Sequence, residues 1–269
     1  MLLSNLEYVP LRLLRKFVFR RGFLETCGWL VPYYLINTGE TSPQSIVSTY
    51  RSYLHRCNVR LDGKIVLELG SGATNGTGYE LASTGAARVY CLEPFARFKS
   101  ALDRSILSDA CNRHHVKPAD IAGRTVRLNS LDTIPSHSID LVVSSSVLEH
   151  VTDPASVCDQ LKRLLTPSGQ MLHLVDYRDH FFKYPYHFLQ FSQRTWNTFL
   201  NPGDLPRWRL TDHLRAFVRA GFETKVLVER SEPGAYARVA PYISSEFDRS
   251  DSRLAITFAA ILAYKRQAD

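Results

Sequence analysis

The sequence predicts an α/β fold, a Rossmann-like, doubly wound sheet that is mostly parallel and has an antiparallel edge strand. Three observations lead to this prediction. Strand-like and helix-like segments alternate between residues 64 and 175, as in a parallel sheet covered by helices on both faces. The first strand runs directly into the turn Gly70-Ser71-Gly72. The chain of 269 residues, 45% of them hydrophobic, is long enough for one such domain and an accessory segment.

The elements follow from the spacing of apolar residues. Five runs rich in apolar and β-branched residues are predicted as strands, over residues 64–69, 87–92, 124–128, 139–144 and 170–175. Helices are predicted between them, over residues 75–84, 95–114 and 154–165, and another before them, over residues 43–57. The C-terminal part is predicted to hold a helix over residues 212–220 and two strands over residues 222–228 and 254–265. Connections between the parallel strands should be right-handed.

The predicted domain organisation has an N-terminal helical cap over residues 1–60 and a main domain over residues 61–269. Within the main domain, residues 177–210 depart from simple periodicity and form an insert rich in aromatic and basic side chains. Two interpretations of the insert stay open, and both can hold at once because a lid needs a core of its own. The insert is a lid whose aromatic faces stack on an acceptor, or a small subdomain with an aromatic core of its own.

The turn after the first strand has the residues expected of a site for a nucleotide-like cofactor. Glycine lets the backbone turn tightly and approach a ligand closely, and the following helix offers its N-terminus to that ligand. Glu68 stands just before Gly70, and a second acid, Glu93, ends the second strand. An acid in that place is positioned to accept hydrogen bonds from ribose hydroxyls.

At these motifs the chain resembles the class I S-adenosylmethionine-dependent methyltransferases, and within them the branch that includes the ubiquinone-biosynthesis-like enzymes. The resemblance covers roughly residues 60–230 and rests on the first two strand ends, on Ser144-Ser145-Ser146-Val147-Leu148-Glu149-His150, and on the turn at residues 164–170. It implies that S-adenosylmethionine is the cofactor. Two positions depart from the family pattern: Thr74 replaces the third glycine, and Ser130 stands where an aspartate often faces the adenine.

The resemblance assigns the predicted cofactor residues to parts of the ligand. The methionine end should lie beside Glu68, Gly70, Ser71 and Gly72, and the ribose beside Glu93. The adenine should lie near Ser130 and Leu131. Ser144 and Ser145 should form the floor of the cofactor site.

A hydroxyl acceptor needs a group that removes its proton. His180 is the preferred base, oriented by Asp179 or Asp176, because these residues follow the fifth strand. His150 is a second candidate. A divalent metal held by Asp176, Asp179 and His180 is an alternative, but three ligands so close in sequence do not establish one, and no metal is assigned.

The pattern from His173 to His180, with Arg207-Trp208-Arg209 downstream, is similar to a subgroup associated with polysaccharide and glycan modification. The predicted function is therefore O-methylation of a sugar, glycan or other small-molecule hydroxyl. Other possibilities are an N- or C-methyltransferase of a lipid or nucleic acid, and a non-catalytic scaffold that retains the fold. A nicotinamide oxidoreductase is disfavoured because the glycine spacing is wrong.

Charge and cysteine content bear on partners and location. The net charge is +7, and a basic amphipathic N-terminal helix is expected to turn Arg12, Arg15, Lys16 and Arg20 away from its apolar side. Such a helix either packs on the domain or lies on an anionic membrane surface.

Five scattered cysteines favour a reducing compartment. We expect a cytoplasmic protein, with possible peripheral contact with the inner membrane surface. Nucleic acid is a disfavoured partner, and the oligomeric state is left open.

Overall fold

The structure is a computed structural model that describes residues 2–18, 42–181, 183–203 and 205–266. Two compact units emerge from the backbone contacts among these residues. One contains residues 42–175, 214–227 and 260–266, and the other contains residues 2–18, 176–213 and 228–259. The boundaries between these units differ from the predicted domain boundary at residue 60. The predicted lid remains a prediction.

A seven-stranded sheet in the order β3-β2-β1-β4-β5-β7-β6 confirms the predicted fold class; it is mostly parallel with one antiparallel edge. The strands are β1 Ile65–Leu69, β2 Arg88–Leu92, β3 Thr125–Leu128, β4 Ile139–Ser145, β5 Leu165–Asp176, β6 Phe222–Ser231 and β7 Ile256–Lys265. In β1, Leu69 pairs with Leu92 of β2 on one side and with Ser144 of β4 on the other. The strand order therefore reverses at β1, and ligands of such sheets bind beyond the carboxyl ends of the strands at that point.

Nine α-helices are described, and two of the longer ones begin at side-chain caps. They are α1 Asn5–Phe17, α2 Pro43–Arg56, α3 Gly76–Ser83, α4 Ser100–His114, α5 Pro118–Ala122, α6 Pro154–Leu164, α7 Gln193–Thr195, α8 Leu210–Arg219 and α9 Pro233–Val239. The side chains of Ser42 and Asp153 cap α2 and α6 by accepting backbone N–H bonds of 3.2 Å and 3.0 Å. A proline follows each of these caps, where it costs no hydrogen bond.

Two predicted boundaries were wrong for local reasons. The helix predicted from residue 95 begins at Ser100, because the Glu93 carboxylate accepts the N–H groups of Phe95 and Ala96 and holds that segment as a loop. The turn predicted at residues 164–170 belongs almost entirely to β5 instead. Its extra residues are absorbed by a register shift against β4 between Ile139 and Leu141.

The second unit has an aromatic core of its own. Besides α1, α7 and α9 it contains a π-helical turn, Trp196–Leu200, and short 3₁₀ turns at His187–Gln190, Ala240–Tyr242 and Ser252–Ala255. Its buried cluster consists of Tyr8, Phe181, Tyr184, Tyr186, Phe188, Leu189, Trp196, Leu200, Leu205, Val239, Ile243 and Leu254. Most aromatic side chains of the predicted insert thus pack against one another. This arrangement favours the second interpretation of the insert.

The N-terminal helix α1 buries a side that was predicted to face solvent, and it exposes residues of its predicted apolar side. Arg12 is buried with only 1% of its surface exposed, and its Nη2 lies 2.5 Å from Oδ1 of the buried Asp179. Its guanidinium carbon also lies 4.6 Å from the ring centre of Phe181 and 4.7 Å from that of Trp196. The predicted solvated position of Arg12 is therefore wrong. A buried carboxylate needs a cationic partner, and Arg12 supplies it. Arg20 lies outside the described residues.

Among the described helices, none combines the length and hydropathy needed to cross a bilayer. The four described cysteines, Cys57, Cys91, Cys111 and Cys158, are free thiols. Cys27 lies outside the described residues.

The buried pair predicts a large effect of removing one charge. We expect Arg12→Met to lower the free energy of unfolding by about 3–5 kcal/mol, because it leaves Asp179 buried without its cation. Lys183→Met is the matched control. It breaks an exposed pair with Glu7 of 3.1 Å, worth about 0–1 kcal/mol. Urea unfolding of both variants measures the difference, and equal losses would contradict a structural role for the buried pair.

Candidate functional site

The loop between β1 and α3 occupies the carboxyl edge of the sheet. Gly70 and Gly72 have positive φ angles of +73° and +67°, which side chains other than glycine rarely adopt. A Cβ atom at Gly70 would lie 2.5 Å from Cγ2 of Val147, so glycine is also required for packing there. A Cβ at Gly72 would meet no atom within 4 Å. The loop thus exposes backbone at Gly72 toward open space, as a close-fitting ligand requires.

Glu93 holds this loop in place. Its Oε2 accepts the N–H of Gly72 at 2.9 Å, and its Oε1 accepts those of Phe95 and Ala96, each at 2.9 Å. The predicted ribose acid is therefore a structural part of the glycine turn as well. Because a carboxylate oxygen can accept more than one hydrogen bond, Glu93 retains capacity for ligand hydroxyls.

Arg127 on β3, which was not among the predicted site residues, is a second brace of the loop. Its Nη2 donates to the carbonyl oxygen of Gly72 at 2.7 Å, and its Nη1 lies 3.2 Å from both Ser71 Oγ and Asn75 Oδ1. Its guanidinium carbon lies 4.9 Å from the ring centre of Phe98. A guanidinium presents several donors in a fixed plane, so one side chain can hold several loop acceptors at once. The sequence signal was a charged residue between two apolar ones in a short strand.

Asp103 of α4 fixes the end of the loop where α3 begins. Its Oδ1 accepts the N–H of Asn75 at 2.6 Å, and its Oδ2 accepts the Tyr79 hydroxyl at 2.6 Å. Burial and the neighbouring Asp103 raise the pKa of Tyr79 to about 12. The Thr74 side chain accepts the N–H of Gly76 at 3.4 Å. The departure from the family glycine at Thr74 is therefore accommodated within the turn.

Glu68 is a buried acid directly under the glycine turn. Burial raises its pKa from 4.5 to about 7, although hydrogen bonds from Thr77 and Cys91 and the charge of Arg127 oppose this. Its Oε2 is buried and has no hydrogen-bond partner among the described residues. A buried oxygen without a partner is suited to accept a hydrogen bond from a donor group of a ligand.

The residues predicted near the adenine follow β3. Leu131 is buried, and the Ser130 hydroxyl donates to Asp132 Oδ2 at 2.6 Å while accepting the Asp132 N–H at 3.2 Å. Ser130 and Asp132 thus form a local turn at the surface.

At the end of β4 the serines have different environments. Ser144 is fully buried, and its Oγ lies 2.7 Å from Nδ1 of His173, whose ring stacks on Phe217 at 5.4 Å. Ser144 is thus a core group. Ser145 is half-buried. The exposed His150 ends the 3₁₀ turn Leu148–His150, in the same unit as the glycine loop.

The acids predicted to orient His180 have other partners in the second unit. Asp179 accepts hydrogen bonds from the Tyr8 hydroxyl, from Arg12 and from the N–H of Phe188, the last at 3.2 Å. Asp176 forms a bidentate pair with Arg178, with Nη2 to Oδ2 at 2.6 Å and Nε to Oδ1 at 3.0 Å. Asp179 therefore has a structural role in the core of this unit, and its predicted role beside His180 stays a prediction. Among the described residues, Asp176, Asp179 and His180 do not lie close enough together to form the alternative metal set.

Arg207 and Arg209, part of the pattern similar to glycan-modifying enzymes, are buried structural groups. Arg209 donates to the carbonyl oxygens of Tyr177 at 2.6 Å and Leu254 at 2.9 Å. Arg207 donates to the carbonyl oxygen of Phe188 at 2.8 Å. Burial lowers the pKa of both to about 10. They hold the backbone of the insert together.

The shifted pKa of Glu68 predicts a pH-dependent stability. The folded state binds the proton of the Glu68 carboxyl more tightly than the unfolded state does. The protonated carboxyl therefore contributes fully to the free energy of unfolding below pH 4.5, and this contribution is lost as the pH rises to about 7. We expect the free energy of unfolding of the wild type to fall by up to about 3 kcal/mol between those pH values because of Glu68, and that of Glu68→Gln not to show this fall. Urea unfolding of the ligand-free wild type and variant across this range measures the effect. Parallel pH profiles would show that Glu68 does not titrate in this range.

A family model matches the part of the chain that contains this site. Residues 67–173, which include Glu68, both glycines, Glu93 and Arg127, match the model described as a methyltransferase domain.

Curated relatives and solved structures agree with the match. Ubiquinone biosynthesis O-methyltransferase of Neisseria meningitidis is 28% identical over 159 residues, which is 55% of this chain and 62% of that protein. The enzyme of the same name from Alkalilimnicola ehrlichii is 27% identical over 63% of this chain and 68% of its own. The chain thus spans less than two thirds of the length of the Neisseria protein.

Two solved structures share the fold. A phosphoethanolamine N-methyltransferase 2 from Haemonchus contortus, in complex with phosphomonomethylethanolamine and S-adenosylhomocysteine, superposes with a TM-score of 0.54 at 14% identity, over 95% of this chain and 60% of that one. The YcgJ protein from Bacillus subtilis superposes with a TM-score of 0.51 at 12% identity, over 82% of this chain and 100% of that one. These likenesses show the fold alone. Together with the match of residues 67–173 to a methyltransferase domain, they support a class I methyltransferase domain that uses S-adenosylmethionine.

Proposed function

We propose that this protein transfers the methyl group of S-adenosylmethionine to a hydroxyl oxygen of a small organic acceptor. The observation that carries the proposal is the braced glycine loop at the carboxyl edge of the sheet, where Glu93 and Arg127 hold Gly72 from its N–H and its carbonyl side. Such a loop offers a preorganised cofactor site, because its conformation does not have to be assembled when the ligand arrives.

The residues of the loop fit the parts of this cofactor. The unpartnered Oε2 of Glu68, one such atom among the described residues, would accept a hydrogen bond from the methionine end. Gly72 leaves room for close approach of that end, and Glu93 would accept the ribose hydroxyls. When bound, the cofactor supplies an activated methyl group whose transfer needs an aligned acceptor.

Oxygen as the methylated atom is supported by the similarity to two ubiquinone biosynthesis O-methyltransferases. The acceptor hydroxyl needs a proton acceptor, for which His180 and His150 are the candidates. A sugar or glycan acceptor rests on the sequence pattern alone. Because the insert buries most of its aromatic rings in its own core, stacking on those rings gives this acceptor no support.

An acceptor screen tests the proposal. Protein and S-adenosylmethionine with a labelled methyl group are incubated with sugars, glycolipids and hydroxylated ring compounds, and labelled products are separated and identified. Transfer to a hydroxyl oxygen is the expected result. Transfer to nitrogen or carbon would overturn the oxygen assignment. Cofactor binding without transfer to any acceptor, even in crude extracts of small molecules and lipids, would favour the non-catalytic scaffold.

The ribose assignment predicts a loss of cofactor affinity. We expect Glu93→Ala to raise the dissociation constant of S-adenosylmethionine at least tenfold, about 1.4 kcal/mol, since it removes an ionised acceptor. Asp140→Ala is the matched control, because Asp140 accepts the N–H of Ile65 at 2.9 Å at the opposite end of β1. Equilibrium dialysis measures both constants. Unchanged binding by folded Glu93→Ala protein would refute the assignment.

The brace at Arg127 predicts a second, separable effect. We expect Arg127→Met to raise the same dissociation constant about tenfold or more, because the loop loses charge-assisted bonds of about 1.5–3 kcal/mol each. Arg124→Met is its control. Arg124 precedes β3 and donates to the carbonyl oxygen of Ala86 at 3.1 Å, away from the loop. If the two variants lose stability and affinity alike, Arg127 has no particular role in the cofactor site.

The base assignment predicts a change in turnover without a change in cofactor affinity. We expect His180→Gln to lower kcat about a hundredfold or more, within the range for loss of a general base. His150→Gln is compared in the same assay, and a larger loss there would transfer the role to His150. If both variants retain wild-type turnover with the identified acceptor, neither histidine is the base.

A further inference from the structure

The segment of residues 94–99, which joins β2 to α4, is tied to the candidate cofactor site at both of its ends. At its start, the Glu93 carboxylate accepts two backbone N–H groups of the segment, each at 2.9 Å. At its end, the N–H of Lys99 donates to the carbonyl oxygen of Ala73 in the glycine loop, also at 2.9 Å. Because these bonds fix the backbone on either side of Phe98, they also set where its side chain begins.

The ring of Phe98 meets the guanidinium of Arg127. The guanidinium carbon lies over the ring, 4.9 Å from its centre. A cation within about 6 Å of a ring centre is attracted by the negative potential of the ring face. Burial alone does not explain this placement, because 40% of Phe98 stays exposed. The stacking on Arg127 is thus a specific contact of this ring.

Arg127 gains from such a contact because its hydrogen-bond acceptors are neutral. Its guanidinium donates to the carbonyl oxygens of Gly72 and Thr74, at 2.7 Å and 3.4 Å, and to the side chains of Ser71 and Asn75, each at 3.2 Å. A neutral acceptor attracts a cation less strongly than a carboxylate does. The aromatic ring adds attraction from the face of the guanidinium, and it leaves the N–H donors, which lie in the guanidinium plane, free for the loop.

We infer that Phe98 is a positioning residue for cofactor binding. Its ring holds the guanidinium of Arg127 against the glycine loop, and Arg127 in turn holds the carbonyl side of Gly72 in the conformation that receives the cofactor. Phe98 acts through Arg127 and does not itself bind the cofactor. The inference rests on the cofactor site proposed above, and it is independent of the acceptor and of the methylated atom.

Three single variants test the inference, with the dissociation constant of S-adenosylmethionine measured by equilibrium dialysis. We expect Phe98→Leu, which keeps an apolar side chain but loses the ring, to raise the constant about threefold to tenfold. Phe98→Tyr keeps the ring face and should stay within about twofold of the wild type. Leu102→Ala is the matched control and should bind like the wild type, because Leu102 is 49% exposed four residues further on, in α4. Unchanged affinity of folded Phe98→Leu, or an equal loss in either of the other variants, would overturn the inference.

A double-mutant cycle shows whether Phe98 acts through Arg127. Arg127→Met combined with Phe98→Leu should bind S-adenosylmethionine at most about twofold more weakly than Arg127→Met alone, because the ring then has no cation to hold. Losses that multiply would overturn the inference and assign Phe98 to direct contact with the ligand. Failure of the cofactor site itself has a different signature. Folded wild-type protein would then not bind S-adenosylmethionine at all, which would refute the site and this inference together.

Discussion

The contact on which the candidate site depends is the hydrogen bond from the N–H of Gly72 to the carboxylate of Glu93. Strands β1 and β2 end side by side, so the acid at the end of one strand reaches the turn at the end of the other. The same carboxylate stops the next helix from starting early by accepting two further N–H groups. One side chain thus shapes the loops on both sides of the place where a ribose would bind. Arg127 completes the arrangement from β3, because it holds the carbonyl side of the same glycine.

The second unit is organised around a different buried charge. Asp179 lies in an aromatic core and accepts hydrogen bonds from Tyr8, Arg12 and two backbone N–H groups. The desolvation cost of such a carboxylate is offset only when a cation and several donors meet it. This requirement explains why the N-terminal helix turns its charged residue inward and leaves leucine and phenylalanine outside. A charge needed in the core thus leaves an apolar surface exposed.

The sequence was sufficient for the parts of the structure that follow from periodicity and turn chemistry. The parallel strands, the glycine turn and the acid at the end of β2 could be predicted because each leaves a local pattern. Arg127 could not be assigned, because its partners lie more than fifty residues away in the chain and its own neighbours are ordinary. The orientation of α1 could not be predicted for a related reason. The helical wheel shows Arg12 as polar, but only the fold shows that a buried Asp179 lies opposite it.

The most direct test of the account is a crystal structure of the protein with S-adenosylhomocysteine, the product form of the cofactor. We expect density at the carboxyl edge of the sheet, with the ribose hydroxyls bonded to Glu93 and the amino acid end beside Gly72 and Glu68. We also expect the glycine loop to keep its conformation, because Glu93 and Arg127 have already set it. Ligand density elsewhere, or a loop that abandons both braces to admit the ligand, would contradict the account.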